Sequence, residues 1–164
     1  MPCGFLKINW ENYIAQLIAW ELWCLTFAPN WERTMLYRPA TLDDARLLFD
    51  WRNDEITRAM SRADSPIEWN AHLSWLGDRL KRPTPHLYIA ERDGIPVGTF
   101  RLDGKEISYT VAPEWRGNGI GLSMIVQAQQ SFGYLGRLRA EIFSRNLASI
   151  KVAERAGLDI VVLD

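Results

Sequence analysis

Residues 86–113, HLYIAERDGIPVGTFRLDGKEISYTVAP, constrain the fold more than any other part of the chain. Two Asp-Gly pairs, in RDG and LDG, supply the glycine that tight hairpin turns require, and each lies between runs of strand-forming residues. Three antiparallel strands are expected. In the third, Ile107, Tyr109 and Val111 alternate with Glu106, Ser108 and Thr110, so one face should be buried and the other more polar.

Helical signals bracket this block. MLYRPA, from Met35, reads as a short strand halted by Pro39, and Thr41 caps a helix through Phe49 with Asp43 and Asp44 in its favourable first turn. A second helix is expected from Pro66 to Arg82, because proline suits a first turn and Pro83 and Pro85 stop the run. Beyond the strands, Met124, Ile125, Ala128 and Phe132 form the core-facing stripe of a helix that Gly133 can end. RLRAEIF is another strand, Asn146 to Ala156 a short helix, and LDIVVL a last strand. The pattern predicts one mixed α/β domain, with helices separating a hairpin block from later crossover strands.

A chain of 164 residues is long enough to bury such a core without staples. Nineteen Lys plus Arg against twenty Asp plus Glu leave a net charge of -1, so no broad field would gather nucleic acid or anionic lipid. The two cysteines, Cys3 and Cys24, form neither a disulfide framework nor a metal-ligand spacing, which fits a reducing cytoplasm. His72 and His86 stand apart from any Cys or carboxylate cluster, and no metal is expected.

Residues 1–34 read differently, with half of the eight tryptophans. Lys7, Glu11, Asn12, Gln16 and Glu21 interrupt their apolar run short of the ~20 residues that a membrane span needs. A signal peptide cut after Ala28 would leave Pro29 next and hold Glu21 in its apolar region, and both features oppose cleavage. Two readings stay open. Ile14, Leu17, Ile18, Leu22 and Leu25 have the spacing of an amphipathic helix, or the segment is an extension ahead of a domain that opens at Met35. The domain division is therefore 1–34 and 35–164.

In APEWRGNGIGLSMIVQ, residues 112–127, three glycines occupy five positions at the mouth of a helix. A helix N-terminus presents unpaired N–H groups and a partial positive charge, and Gly117, Gly119 and Gly121 leave the approach to it open for phosphate oxygens, a pyrophosphate above all. The spelling matches neither a nucleoside-triphosphatase loop nor a dinucleotide-binding fingerprint. The other reading is a tight strand-to-helix connection alone.

The whole segment resembles the GNAT superfamily of acetyl-CoA-dependent N-acetyltransferases. RGNGIG matches the R/Q-x-x-G-x-G/A signature at Arg116, Gly119 and Gly121, after a strand ending in VAPEW. RAEIFSRNLASIKVAERAGL resembles the second cofactor-side motif, with Leu158 where Phe is usual. The likeness spans residues 35–164 and implies a central, mostly antiparallel twisted sheet flanked by helices.

It also implies roles. The strand at Tyr109, Thr110 and Val111 would splay from its neighbour and offer main-chain groups to the pantetheine arm of acetyl-CoA. The amides of Gly117, Asn118, Gly119, Ile120, Gly121 and Leu122 would hold the pyrophosphate, with Arg116 either a cofactor ligand or a solvated cation. Asn146 would cap its helix and bond the cofactor near the pantetheine end. Glu141 stands where some relatives carry a catalytic base, or it pairs with Arg137 or Arg139. Relatives carry a tyrosine acid where this chain has Ala153, so the departing thiolate either leaves without direct protonation or takes a proton relayed by Ser149.

FDWRNDEITRAMS and WNAHLSWL resemble the subgroup that acetylates nucleotide-linked amino sugars in pseudaminic-acid synthesis. That likeness gives Trp51 and Trp75 as stacking faces, and Arg52, Asn53, Arg58 and His72 as binders of hydroxyls or phosphate. For the tryptophans the alternative is core packing, and for Arg52 it is pairing with Asp54 or Glu55. The alternatives for the whole protein are acetylation of a protein N-terminus or another small amine, and a non-catalytic acetyl-CoA-binding module. Relatives carry one more strand after LDIVVL; here the sheet edge is filled by a partner chain, as in a homodimer, by the N-terminal segment, or not at all.

Overall fold

The computed structural model describes residues 35–82 and 86–164. The expectations for residues 1–34, and the stop at Pro83 and Pro85, lie outside the described residues. In chain order the elements are β1 (Leu36–Pro39), α1 (Ala45–Asn53), α2 (Glu55–Ala59), α3 (Trp69–Leu80), β2 (Leu87–Arg92), β3 (Ile95–Asp103), β4 (Glu106–Val111), α4 (Ile120–Ser131), β5 (Arg139–Phe143), α5 (Leu147–Ala156) and β6 (Asp159–Leu163). The six strands form one sheet in sequence order, antiparallel from β1 to β4 and parallel from β4 to β6. The mixed α/β expectation and its mostly antiparallel sheet are met.

The hairpin chemistry is visible at the turn between β2 and β3, where Asp93 (φ 53°) and Gly94 (φ 76°) both take the left-handed conformation. Alternation then sends side chains to two cores, one on each face. Phe100, Leu102 and Ile107 join Ile120, Met124, Ile125 and Ala128 of α4 and Ala153 of α5 on one face. Leu87 and Ile89 meet Ala45, Leu48 and Trp51 of α1 and Leu76 of α3 on the other. The first core is braced by Tyr37, whose ring meets Phe100 edge-on at 5.0 Å and whose hydroxyl donates to Met124 O at 2.6 Å.

Two helix boundaries differ from expectation. Thr41 and Asp44 bond reciprocally, Thr41 N–H to Asp44 Oδ2 (2.8 Å) and Asp44 N–H to Thr41 O (3.2 Å), and Arg38 grips both oxygens of Asp44. A 3-10 turn at Leu42–Asp44 leads into α1, which continues past Phe49 to Asn53 because no breaker intervenes before Asp54. Asp54 then caps α2 by accepting Thr57 N–H at 2.9 Å. α3 begins at Trp69 rather than Pro66. The Asn53 side chain accepts Ile67 N–H (2.8 Å) and donates to Ile67 O (3.0 Å), which commits both main-chain groups of Ile67 outside a helix.

The sheet opens at its centre. β4 and β5 share one register pair, Glu106 with Arg139, supported by Arg139 N–H to Lys105 O at 2.8 Å. β5 and β6, by contrast, pair along their whole length from Arg139–Asp159 to Phe143–Leu163. Beyond Glu106 the two parallel strands diverge and leave a wedge.

Candidate active site

The wedge exposes main-chain groups of Tyr109, Thr110 and Val111, which among the described residues pair only with β3 on their other side. These are the residues expected to meet a pantetheine arm. Just beyond Val111 lies the glycine turn. Gly117 (φ 77°) and Gly119 (φ 76°) take left-handed conformations, so the chain can turn sharply into α4. Its first main-chain bond at this end runs from Ser123 N–H to Gly119 O (3.1 Å), which leaves the preceding amides, through Leu122, at an open helix N-terminus.

Gly121 serves a different purpose. A Cβ there would stand 3.3 Å from Val111 Cγ2 and 3.7 Å from Val152 Cγ2, so hydrogen at this position lets α4 lie close to the end of β4. Asn118 donates to Arg116 O at 3.2 Å and tightens the turn. The Arg116 guanidinium is taken up by Asp54 Oδ2 (2.6 Å) and Thr57 Oγ1 (2.8 Å). Burial alone would raise the Asp54 pKa, but the Arg116 and Thr57 hydrogen bonds outweigh it and hold that carboxyl low. Arg116 thus fastens α2 to the glycine turn.

A cavity of about 480 Å³ lies between the wedge and the α1–α2 wall. Tyr109, Thr110, Glu141, Ile142, Asn146 and Ser149 line it from the sheet and α5; Trp51, Arg52, Arg62, His72 and Trp75 line it from the other side. Asn146 caps α5 as expected, its Oδ1 accepting Ser149 N–H at 3.1 Å. The Tyr109 hydroxyl is buried beside Ser149 without a well-formed hydrogen bond, and that burial pushes its pKa up, so the group stays protonated. An unpartnered buried hydroxyl costs free energy unless something polar meets it.

Glu141 faces the same space and is engaged by Arg62 and, at 3.5 Å, by Arg139. The expected Arg139 contact is present. Arg62, from the loop after α2, was not foreseen, and its side chain is 71% exposed. Such a pair is worth at most about 1 kcal/mol, so Arg62 is displaced at small cost.

Of the acceptor-side residues singled out from sequence, Trp51 is a buried core residue with an edge on the cavity. His72 is buried too, its Nε2 bonded to Ala45 O at 2.9 Å, with Phe49, Trp69 and Trp75 around its ring. Asn53 is spent on Ile67, and Arg58 donates to Asn53 O and Asp64 O; neither lines the cavity. Arg52 does line it, and so does Trp75, which is 39% exposed. Arg101, passed over in the sequence, joins them from β3. Its clue was an arginine at the strand position opposite Ser108, on the polar face of the hairpin block.

A sheet parted between parallel strands, with bare amides at the adjoining helix N-terminus and a cavity between, defines an acyl-CoA N-acyltransferase. Residues 34–159 match the acetyltransferase (GNAT) domain family, and the chain belongs to that family. It is an acetyl-CoA-dependent N-acetyltransferase. Among solved structures it is similar to the ribosomal-protein-alanine N-acetyltransferase of Brucella melitensis, at 26% identity over 74% of this chain and 83% of that one, with a TM-score of 0.61. It resembles yncA of Salmonella typhimurium with its cofactor acetyl-CoA at 22% identity, over 76% and 79% of the two chains and a TM-score of 0.59. The aminoglycoside acetyltransferase AAC(6')-Ib in complex with coenzyme A aligns at 18% identity, over 76% and 83%, with a TM-score of 0.58. No curated protein matches the sequence.

Acetyl-CoA suits the residues present. The unpaired strand face, the open amides and the buried hydroxyl of Tyr109 each suit a polar ligand where the wedge opens. Among the described residues no His, Cys, Asp and Glu cluster could hold a metal, and no helix is long and apolar enough to cross a membrane.

Proposed function

We propose that the protein acetylates the primary amine of an amino sugar, carried on a nucleotide, from acetyl-CoA bound in the wedge. Bound there, acetyl-CoA supplies an acetyl thioester whose carbonyl carbon accepts the amine and whose sulfur departs as the thiolate. The main chain of Tyr109 to Val111 and the amides of Gly117 to Leu122 would hold it, so that the two reactants meet at fixed distance, which is worth a large share of the rate.

Glu141 takes the proton that the amine must lose, once the acceptor displaces Arg62. Ala153, where relatives place a tyrosine acid, is fully buried in the core and offers no hydroxyl. Tyr109 Oη replaces it in this reading: it holds a proton inside the cleft, and the Ser149 hydroxyl beside it refills that proton from solvent. Asn146 fixes the start of α5 and with it Ser149.

The observation that carries the amino-sugar reading is that part-exposed Trp75 and Arg52 line the same cavity, an apolar plate and a cation as a sugar with polar substituents requires. The likeness to the Brucella melitensis ribosomal-protein-alanine enzyme favours a second reading, a peptide N-terminus as acceptor. Purified protein with acetyl-CoA, offered UDP-linked amino sugars, an alanine-ended peptide and a polyamine, is expected to release free thiol fastest with an amino sugar. Faster release with the peptide would replace the first reading by the second, and tight acetyl-CoA binding with no release from any amine would leave a binding module.

A further inference from the structure

Two arginines line the acceptor side of the cavity, near enough for the charge of one to act on the other. Arg52, on α1, donates through Nη2 to Ala63 O at 3.0 Å, while its Nη1 is buried without a partner. Arg101, on β3, is in a similar position: its Nε is buried and unbonded, and its ion-pair contact, with Asp103 Oδ2, is long at 3.6 Å. Asp103 is already held by Arg79 and Arg82. Both arginines line the cavity, with Ser108 set across from Arg101 on β4.

Two of the surrounding carboxylates are committed elsewhere. Asp54 binds Arg116, and Glu141 binds Arg62 and Arg139. Glu106, exposed at the start of β4, also lines the cavity, and no ion pair among the described residues joins it to Arg52 or Arg101. Burial, together with the nearby charges of Arg101 and then Arg58, weakens the hold of Arg52 on its proton. Like charges brought together out of water are unfavourable until an opposite charge joins them. A planar guanidinium meets an oxyanion through two parallel hydrogen bonds, and two guanidiniums can grip one from both sides.

We propose that Arg52 and Arg101 form a subsite for an oxyanion, a carboxylate or a phosphate group, carried by the amine acceptor. This rests on the acetyl-transfer reading of the same cavity. It narrows the acceptor to amines that bear a negative group and assigns Arg101 a role in choosing them.

Matched acceptors test it on the full chain: glucosamine 6-phosphate against glucosamine, and β-alanine against β-alaninamide, each with acetyl-CoA and thiol release as readout. The anionic member of one pair is expected to lead by about 10- to 100-fold in kcat/KM, as charged hydrogen bonds would give, and the pair that responds identifies the oxyanion. Arg52→Gln and Arg101→Gln should each pull that ratio toward one while acetyl-CoA affinity and melting temperature hold; Arg52→Lys and Arg101→Lys, which keep the charge, should retain part of it. Equal kcat/KM within both pairs, or a preference that survives both Gln substitutions, overturns the subsite and leaves acetyl transfer standing. A second readout is calorimetric uptake of inorganic phosphate and of acetate by the CoA-saturated chain, in which the pyrophosphate position is already filled. Uptake that Arg52→Gln abolishes, without turnover of any amine, supports the subsite and sinks acetyl transfer; no uptake and no preference sinks the subsite.

Discussion

Glu141 is asked to be both an ion-pair partner and a base, and Tyr109 to be both buried and polar. The two residues therefore answer to different tests. Glu141→Gln should slow turnover by about 10²-fold or more with acetyl-CoA affinity retained; an unchanged kcat would leave Glu141 as a partner of Arg62 and Arg139 and nothing else. Tyr109→Phe removes a hydroxyl that has no well-formed partner, so the melting temperature should hold or rise while turnover falls by about 10²-fold. A fall in stability with full activity would assign that hydroxyl to packing. Neither Arg62 nor Arg101 was legible as part of the site. Strand alternation tells which face Arg101 takes, but only the tertiary fold tells that α1 brings Arg52 to the same face and that the loop after α2 drops Arg62 onto Glu141.

At the scale of elements, the start of α4 combines two separate demands for glycine. Gly119 needs its positive φ, and Gly121 needs its missing side chain. Gly119→Ala is expected to cost roughly 1–2 kcal/mol from the left-handed backbone, seen as a lower denaturation midpoint. Gly121→Val should separate α4 from Val111 and weaken acetyl-CoA binding measured by calorimetry; unaltered affinity in both variants would detach the glycine turn from the cofactor. Most elements were legible because their causes are local: Asp-Gly turns for the hairpins, Asn146 for the cap of α5, and an apolar stripe for α4. The onset of α3 was not, since it depends on Asn53 bonding Ile67 across fourteen positions of chain, a contact no local pattern announces.

For the whole molecule, buried titrating groups set how stability follows pH. Burial keeps the His72 pKa below its ordinary 6.5, so as the pH falls through that value the unfolded chain takes up the proton first and stability declines until the lower folded pKa is reached. Asp44 acts further down. The Arg38 hydrogen bonds hold its carboxyl below the ordinary 3.8, so its contribution is complete above that value and vanishes as the pH drops through the depressed one. Melting temperatures at pH 7.5, 6.0 and 5.0 should decline stepwise, and His72→Gln should flatten that decline; an equal slope in the variant would mean that His72 titrates alike in both states.

One rung, Glu106 to Arg139, joins the antiparallel half of the sheet to its parallel half, and the rest of that seam is carried by α4 and α5 packed behind it. A zip fastened at its lowest tooth parts easily, and whatever slides between the flaps becomes a structural member in its own right. A coenzyme seated there would then be keystone as well as reagent, and saturating CoA is expected to raise the melting temperature as acetyl-CoA does, since both carry the arm that bridges the flaps.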